Sequence, residues 1–165
     1  MLTTLSFIFI FILIFFIIPN PITNRLYSSF NLSEGSNLKR IEIWKESLQI
    51  IDENPLLGVG LGNYPLSIKP SANYREPIYS HNTYMDIAAE IGLLGTIIWM
   101  FILFFSILKS IKLFYERNNV IYLGITSSLI VFATHSIFET AIFSVHILPL
   151  LILLIGLINA KKLDE

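Results

Sequence analysis

Four runs of apolar residues, separated by stretches rich in Pro, Asn, Gly and charged residues, set the pattern of this chain. They cover residues 2–18, about 93–111, 120–138 and 141–158, and each approaches the roughly 17 to 25 residues an α-helix needs to cross a hydrocarbon core. The first is dense in Phe and Ile and ends at Pro19-Asn20-Pro21. It lacks the basic leading residues and small-residue cleavage site of a secretory signal, so it reads as a retained membrane helix. The pattern predicts an all-α integral membrane protein with about four transmembrane helices. A large polar loop spans residues 19–92, a three-helix membrane bundle residues 93–158, and a tail residues 159–165.

Two short elements stand out inside the loop. Ile41, Trp44, Leu48 and Ile51 recur at spacings of three and four, and Asn54-Pro55 stops the pattern, so residues 38–54 predict an amphipathic helix on the membrane surface. Ser80 can cap a second helix over residues 81–91, with Tyr84, Ile87, Ala88 and Ile91 on one side and His81 on the same face. In a first turn the helix dipole favours a neutral imidazole, which can accept a proton. Between the two, Gly58, Gly60 and Gly62 predict a sharp turn or a close backbone approach, and residues 63–79 an irregular loop that includes Arg75. No strand precedes these glycines and no Lys-Ser or Lys-Thr pair follows them, which excludes a nucleotide-binding loop.

Composition agrees with a membrane class, since hydrophobic residues make up 54% and charged residues 14%; much of that apolar surface must face lipid or another protein. A formal net charge of -1 removes the basic footprint of a nucleic-acid binder, and the absence of cysteine excludes disulfides and thiolate metal sites. Charge placement sets an orientation. Lys109, Lys112 and Arg117 lie between the second and third runs, and Lys161 and Lys162 follow the fourth. Positive charge resists translocation, so these sites are expected in the cytoplasm, with the residue 19–92 loop and the turn around Glu139 outside.

Candidate chemistry sits on that outer side. Arg40 precedes Trp44 by one helical turn, which holds a cation at headgroup depth as a phosphate ligand or as a snorkelling side chain. His135 and Glu139, four residues apart near the outer end of the third helix, read either as part of a donor pocket or as an interfacial polar belt, with His146 close by on the fourth.

Taken in order, Arg40, Trp44, Pro55-Leu56-Leu57-Gly58-Val59-Gly60, His81-Asn82-Thr83-Tyr84 and Glu90-Ile91-Gly92-Leu93-Leu94-Gly95 resemble the C-terminal half of the O-antigen ligase and Wzy-type polymerase superfamily. The resemblance runs from Arg40 to about residue 111. It implies a membrane glycosyltransferase of the bacterial inner (plasma) membrane, with its large loop on the periplasmic or extracellular side. Such an enzyme transfers or polymerises glycan from a polyprenyl-pyrophosphate-linked donor to a glycan, lipid or protein acceptor, with inversion and without metal or other cofactor. It further implies that Arg40 contacts the donor pyrophosphate and His81 activates the acceptor hydroxyl. Trp44, Gly60, Arg75, Asn82, Tyr84, His135 and Glu139 are expected to line the substrate. Relatives carry more membrane helices and a further arginine-bearing loop upstream, so the chain is expected to be a C-terminal portion that works with an N-terminal half or partner subunit. The competing expectation is a non-catalytic polytopic membrane subunit or a transporter fragment.

Overall fold

The computed structural model describes residues 35–71 and 78–160, together with Pro21, Thr23, Asn24 and Ser28. The expected helix over residues 2–18, the candidate Arg75, and Lys161 and Lys162 lie outside the described residues. The described residues form helices and turns without strands. In chain order the helices are α1 (Gly35–Glu53), α2 (Tyr64–Ile68), α3 (Thr83–Arg117), α4 (Val120–His135) and α5 (Ile147–Asn159). Two compact units divide the chain, Met1–Glu42 and Ile43–Glu165. In the first, Asn37 Nδ2 donates to Ser28 O at 3.4 Å, and Arg40 is half-buried on α1.

In the second unit a small core forms where Ile50 of α1, Tyr64 of α2 and Ala89 of α3 pack together, with Ile51, Val59, Ile68 and Ile78 around them. The buried face of α1 is rotated from the one expected: Ser47 and Ile50 are buried, whereas Leu48 is exposed. A polar contact explains the rotation. Ser47 Oγ lies 2.7 Å from Tyr64 OH, and Tyr64 is 1% exposed, so the serine faces inward to satisfy a buried phenol.

Asn82, not Ser80, caps α3: its Oδ1 accepts Tyr84 N–H at 3.0 Å and Met85 N–H at 3.1 Å. The helix breaks at Gly92, whose φ of 75° and ψ of 176° belong to a region that essentially only glycine occupies. Beyond the break it continues to Arg117, and α3 is the one described helix long and apolar enough to cross a membrane. Four such helices were expected. The third and fourth apolar runs instead give α4 and α5, 16 and 13 residues long, or about 24 and 20 Å at 1.5 Å per residue.

The cause is a change of hydrogen-bond partners at residues 136–141. Ser136 O accepts Thr83 N–H at 2.8 Å, Thr83 Oγ1 donates to Glu139 O at 2.8 Å, and Ala141 N–H donates to Thr83 Oγ1 at 3.1 Å. These bonds to the start of α3 replace those that would have continued α4, and residues 136–146 form turns.

The helical bundle is held by Leu103 of α3, Tyr122, Ile125 and Leu129 of α4, and Leu151 and Ile158 of α5. Hydroxyls supplement the apolar contacts: Ser110 Oγ donates to Tyr122 O at 2.9 Å, and Thr126 Oγ1 donates to Ser110 Oγ at 2.9 Å. Small hydroxyl residues allow close approach and hydrogen bonding between helices where lipid supplies no hydrophobic driving force. Ile97, Ile98, Met100, Phe101, Phe104 and Phe105 leave an exposed apolar flank on α3.

Candidate functional site

The site is built around a densely hydrogen-bonded turn. Every hydrogen-bonding group of Ser80 is engaged: its N–H donates to Asp86 Oδ1 at 2.8 Å, its carbonyl accepts Trp44 Nε1–H at 2.8 Å, and its Oγ donates to Asn82 O at 2.9 Å. Ser80 is fully buried. The next residue, His81, has a φ of 56°, a left-handed conformation that costs a non-glycine residue roughly 1–2 kcal/mol and is sustained by its surroundings. His81 therefore precedes the N-cap instead of occupying the first helical turn, which corrects its expected placement.

That twist presents the imidazole to the turn beyond α4. His81 Nδ1 lies 2.9 Å from Glu139 Oε1, with both side chains a little under half exposed, at 43% and 45%. A carboxylate can only accept, so Nδ1 carries the proton in a neutral ring and Nε2, on the opposite edge, is left as the basic nitrogen. Glu139 does not share a helical face with His135, as the four-residue spacing suggested, because α4 ends between them. The side chain of His135 instead lines a largely apolar cavity of about 500 Å³ between α4 and α5, with Ser128, Val131, Leu150, Leu151 and Leu154.

Four other expected site residues, Trp44, Gly60, Asn82 and Tyr84, act on backbone. Trp44 holds Ser80, Asn82 caps α3, and Tyr84 OH donates to Ala133 O at 2.9 Å. Gly60 N–H donates to Glu90 O at 2.8 Å, Val59 N–H to Ala89 O at 2.8 Å, and Leu93 N–H to Pro55 O at 2.8 Å. The break at Gly92 would leave the Ala89 and Glu90 carbonyls without helical donors, and the glycine turn supplies them. The Gly60 N–H is thereby engaged within the protein. Gly58 and Gly92 permit this approach: a Cβ on either would overlap backbone atoms of Glu90 or Leu56, respectively.

Two acids absent from the expected set lie beneath the turn. Asp86 is fully buried, and its Oδ2 accepts a hydrogen bond from Thr140 Oγ1. Glu90, one turn later, is 4% exposed and Oε2 has no hydrogen-bond partner. Both precede the Gly92 break and the apolar stretch that follows it. Burial raises the Asp86 carboxyl above the ordinary aspartate value, against the lowering influence of Thr140 and Ser80. Burial also raises Glu90, opposed by the Gly62 and Tyr64 N–H groups and reinforced by Asp86. The Tyr64 phenol is pushed up to about 12, chiefly by burial. The sequence carried a signal for these acids: Asn82, Asp86 and Glu90 recur every fourth residue, a polar stripe entering an apolar helix.

Among the described residues no three His, Asp or Glu side chains form a candidate metal cage. The arrangement can orient a half-exposed imidazole and support it with a carboxylate. No curated protein and no solved structure matches the chain. The family model described as O-antigen ligase matches residues 1–100, which include Arg40, the glycine turn and the His81 turn, and the chain belongs to the O-antigen ligase family.

Proposed function

We propose that the chain takes part in transferring or polymerising a lipid-linked glycan during surface-polysaccharide assembly, with His81 as general base and Glu139 fixing its tautomer. Family membership supports a membrane ligase- or polymerase-like role. The observation that carries the catalytic reading is the 2.9 Å pairing of His81 Nδ1 with Glu139 Oε1 on a strained, half-exposed turn. In the proposed step Nε2 takes the proton of an acceptor hydroxyl as its oxygen bonds to the anomeric carbon. The bond from that carbon to the polyprenyl-pyrophosphate oxygen breaks, and the configuration inverts. Arg40 supplies permanent positive charge for the departing pyrophosphate.

In this reading α3, α4 and α5 make a multi-pass arrangement in the inner membrane. The His81 end faces the periplasm or exterior, and an upstream half or partner subunit completes the donor groove. A transporter would place ionisable groups at mid-membrane, whereas α3 carries none between Gly92 and Lys109. Complementation in the source cells deleted for this chain, which keep any upstream half or partner subunit, tests the proposal. His81→Ala should lower glycan transfer by ~10²–10⁴-fold, and Arg40→Ala should also abolish it, with membrane levels of both variants unchanged. Wild-type transfer by His81→Ala would overturn the reading.

A further inference from the structure

We infer that Asp86 is the positioning residue of the His81–Glu139 pair, a buried clamp that fixes the turns carrying both partners. The inference rests on the reading of His81 as the base, and its geometry is distinctive. One carboxylate oxygen accepts from the N–H of Ser80, the residue before His81. The other accepts from the hydroxyl of Thr140, the residue after Glu139. A single side chain thus ties together two turns whose reacting members are 58 positions apart.

The pair needs such a device. Exposed ion pairs gain little from their own attraction, because water screens them and holding two flexible side chains in one geometry costs entropy. With both side chains close to half exposed, the imidazole and carboxylate stay in register only if their backbones do. Thr83 stitches the same turns from its side, bonding to Ser136, Glu139 and Ala141. Asp86 reaches the neighbour of each partner, Ser80 beside His81 and Thr140 beside Glu139. Full burial keeps its carboxylate away from substrate, so it acts through His81 and Glu139 rather than on the reacting atoms.

The readout is the tautomer of His81, which a merely structural role would not move in protein that remains folded. The full chain is labelled with ¹⁵N-histidine and reconstituted in lipid nanodiscs, and His81 is assigned by the signals lost in His81→Ala. Spectra are taken above the ordinary imidazole titration range. The wild-type ring should be the Nδ1-protonated tautomer. Asp86→Ala and Thr140→Val should each shift it toward a mixture of the two tautomers. Asp86→Asn should restore the wild-type signal, since its carbonyl can accept from Ser80 and its amide can donate to the Thr140 oxygen.

An unchanged tautomer in folded Asp86→Ala would overturn the clamp. If that variant does not fold, Thr140→Val decides in the same way. Failure of Asp86→Asn to restore the signal while folded would also overturn it, as would a wild-type ring lacking the Nδ1 proton. The parent reading fails separately: His81→Ala that still transfers glycan removes the base role, whatever the tautomer result.

Discussion

At the scale of single residues, a buried acid and a buried serine are hydrogen-bonded to the turn that carries a half-exposed imidazole. Ser80 has its N–H, carbonyl and hydroxyl all hydrogen-bonded, and the left-handed His81 follows it directly in the chain. Glu90 lends itself to a pH test. Its folded-state pKa is raised, so its contribution to stability is fully present below the ordinary glutamate range and is lost as pH rises through the raised value. Thermal melts of the purified protein at pH values below and above the carboxylate range should show a fall with rising pH that Glu90→Gln makes smaller. An equal fall in both proteins would remove Glu90 as the cause. His81 stood out in the sequence because its motif falls in order among others that resemble the O-antigen ligase and polymerase superfamily. Its partner did not, because Glu139 is 58 positions away and local spacing assigned it to His135. Asp86 was legible only as part of the stripe through Asn82 and Glu90, a pattern easily absorbed into helix solubility.

At the scale of elements, the informative junction is the docking of the glycine turn onto the broken end of α3's first segment. The glycines were legible as a turn or a close approach; the carbonyls they approach were not, because the contact joins residues 30 positions apart, Val59 to Ala89 and Gly60 to Glu90. Gly92→Ala should destabilise the protein by about 3 kcal/mol, the upper end of the cost of a strained backbone position, since its Cβ would also overlap Leu56 O. Gly124→Ala is the control: its Cβ meets nothing within 4 Å on α4, and alanine should leave stability unchanged or raise it by up to about 1 kcal/mol. Unfolding in a mild detergent measures both, and equal stability of the two variants would exclude a required break. Helix ends were the other illegible feature. Hydropathy carried α4 past His135, but bonds from Thr83 end it there, an influence exerted from 53 positions earlier in the chain.

At the scale of the whole molecule, the start of α3 and the turns after α4 form one end of the helical bundle, and the Arg117-to-Asn119 connection lies at the other end of α3 and α4. The absence of cysteine makes this ordering testable without altering the background. A single cysteine at Val145, 78% exposed in the turns before α5, should react with a membrane-impermeant maleimide in intact spheroplasts. One at Asn118, an exposed residue between α3 and α4, should react only after permeabilisation; the opposite result would reverse the proposed orientation. The all-helical character and the long apolar α3 were readable from composition and pattern alone, because both follow from side-chain hydropathy summed over many residues. How the ends of the bundle close was not, because a few backbone hydrogen bonds determine it.

The bonds joining Thr83 to residues 136–141 bear on how this protein can be recombined. A chimaera with its crossover between residues 100 and 135 would retain the native histidine loop yet inherit a foreign carboxylate acceptor and foreign backbone partners. Grafts that move the two regions together keep those contacts intact, so the smallest exchangeable cassette is discontinuous, pairing residues 80–86 with residues 136–141.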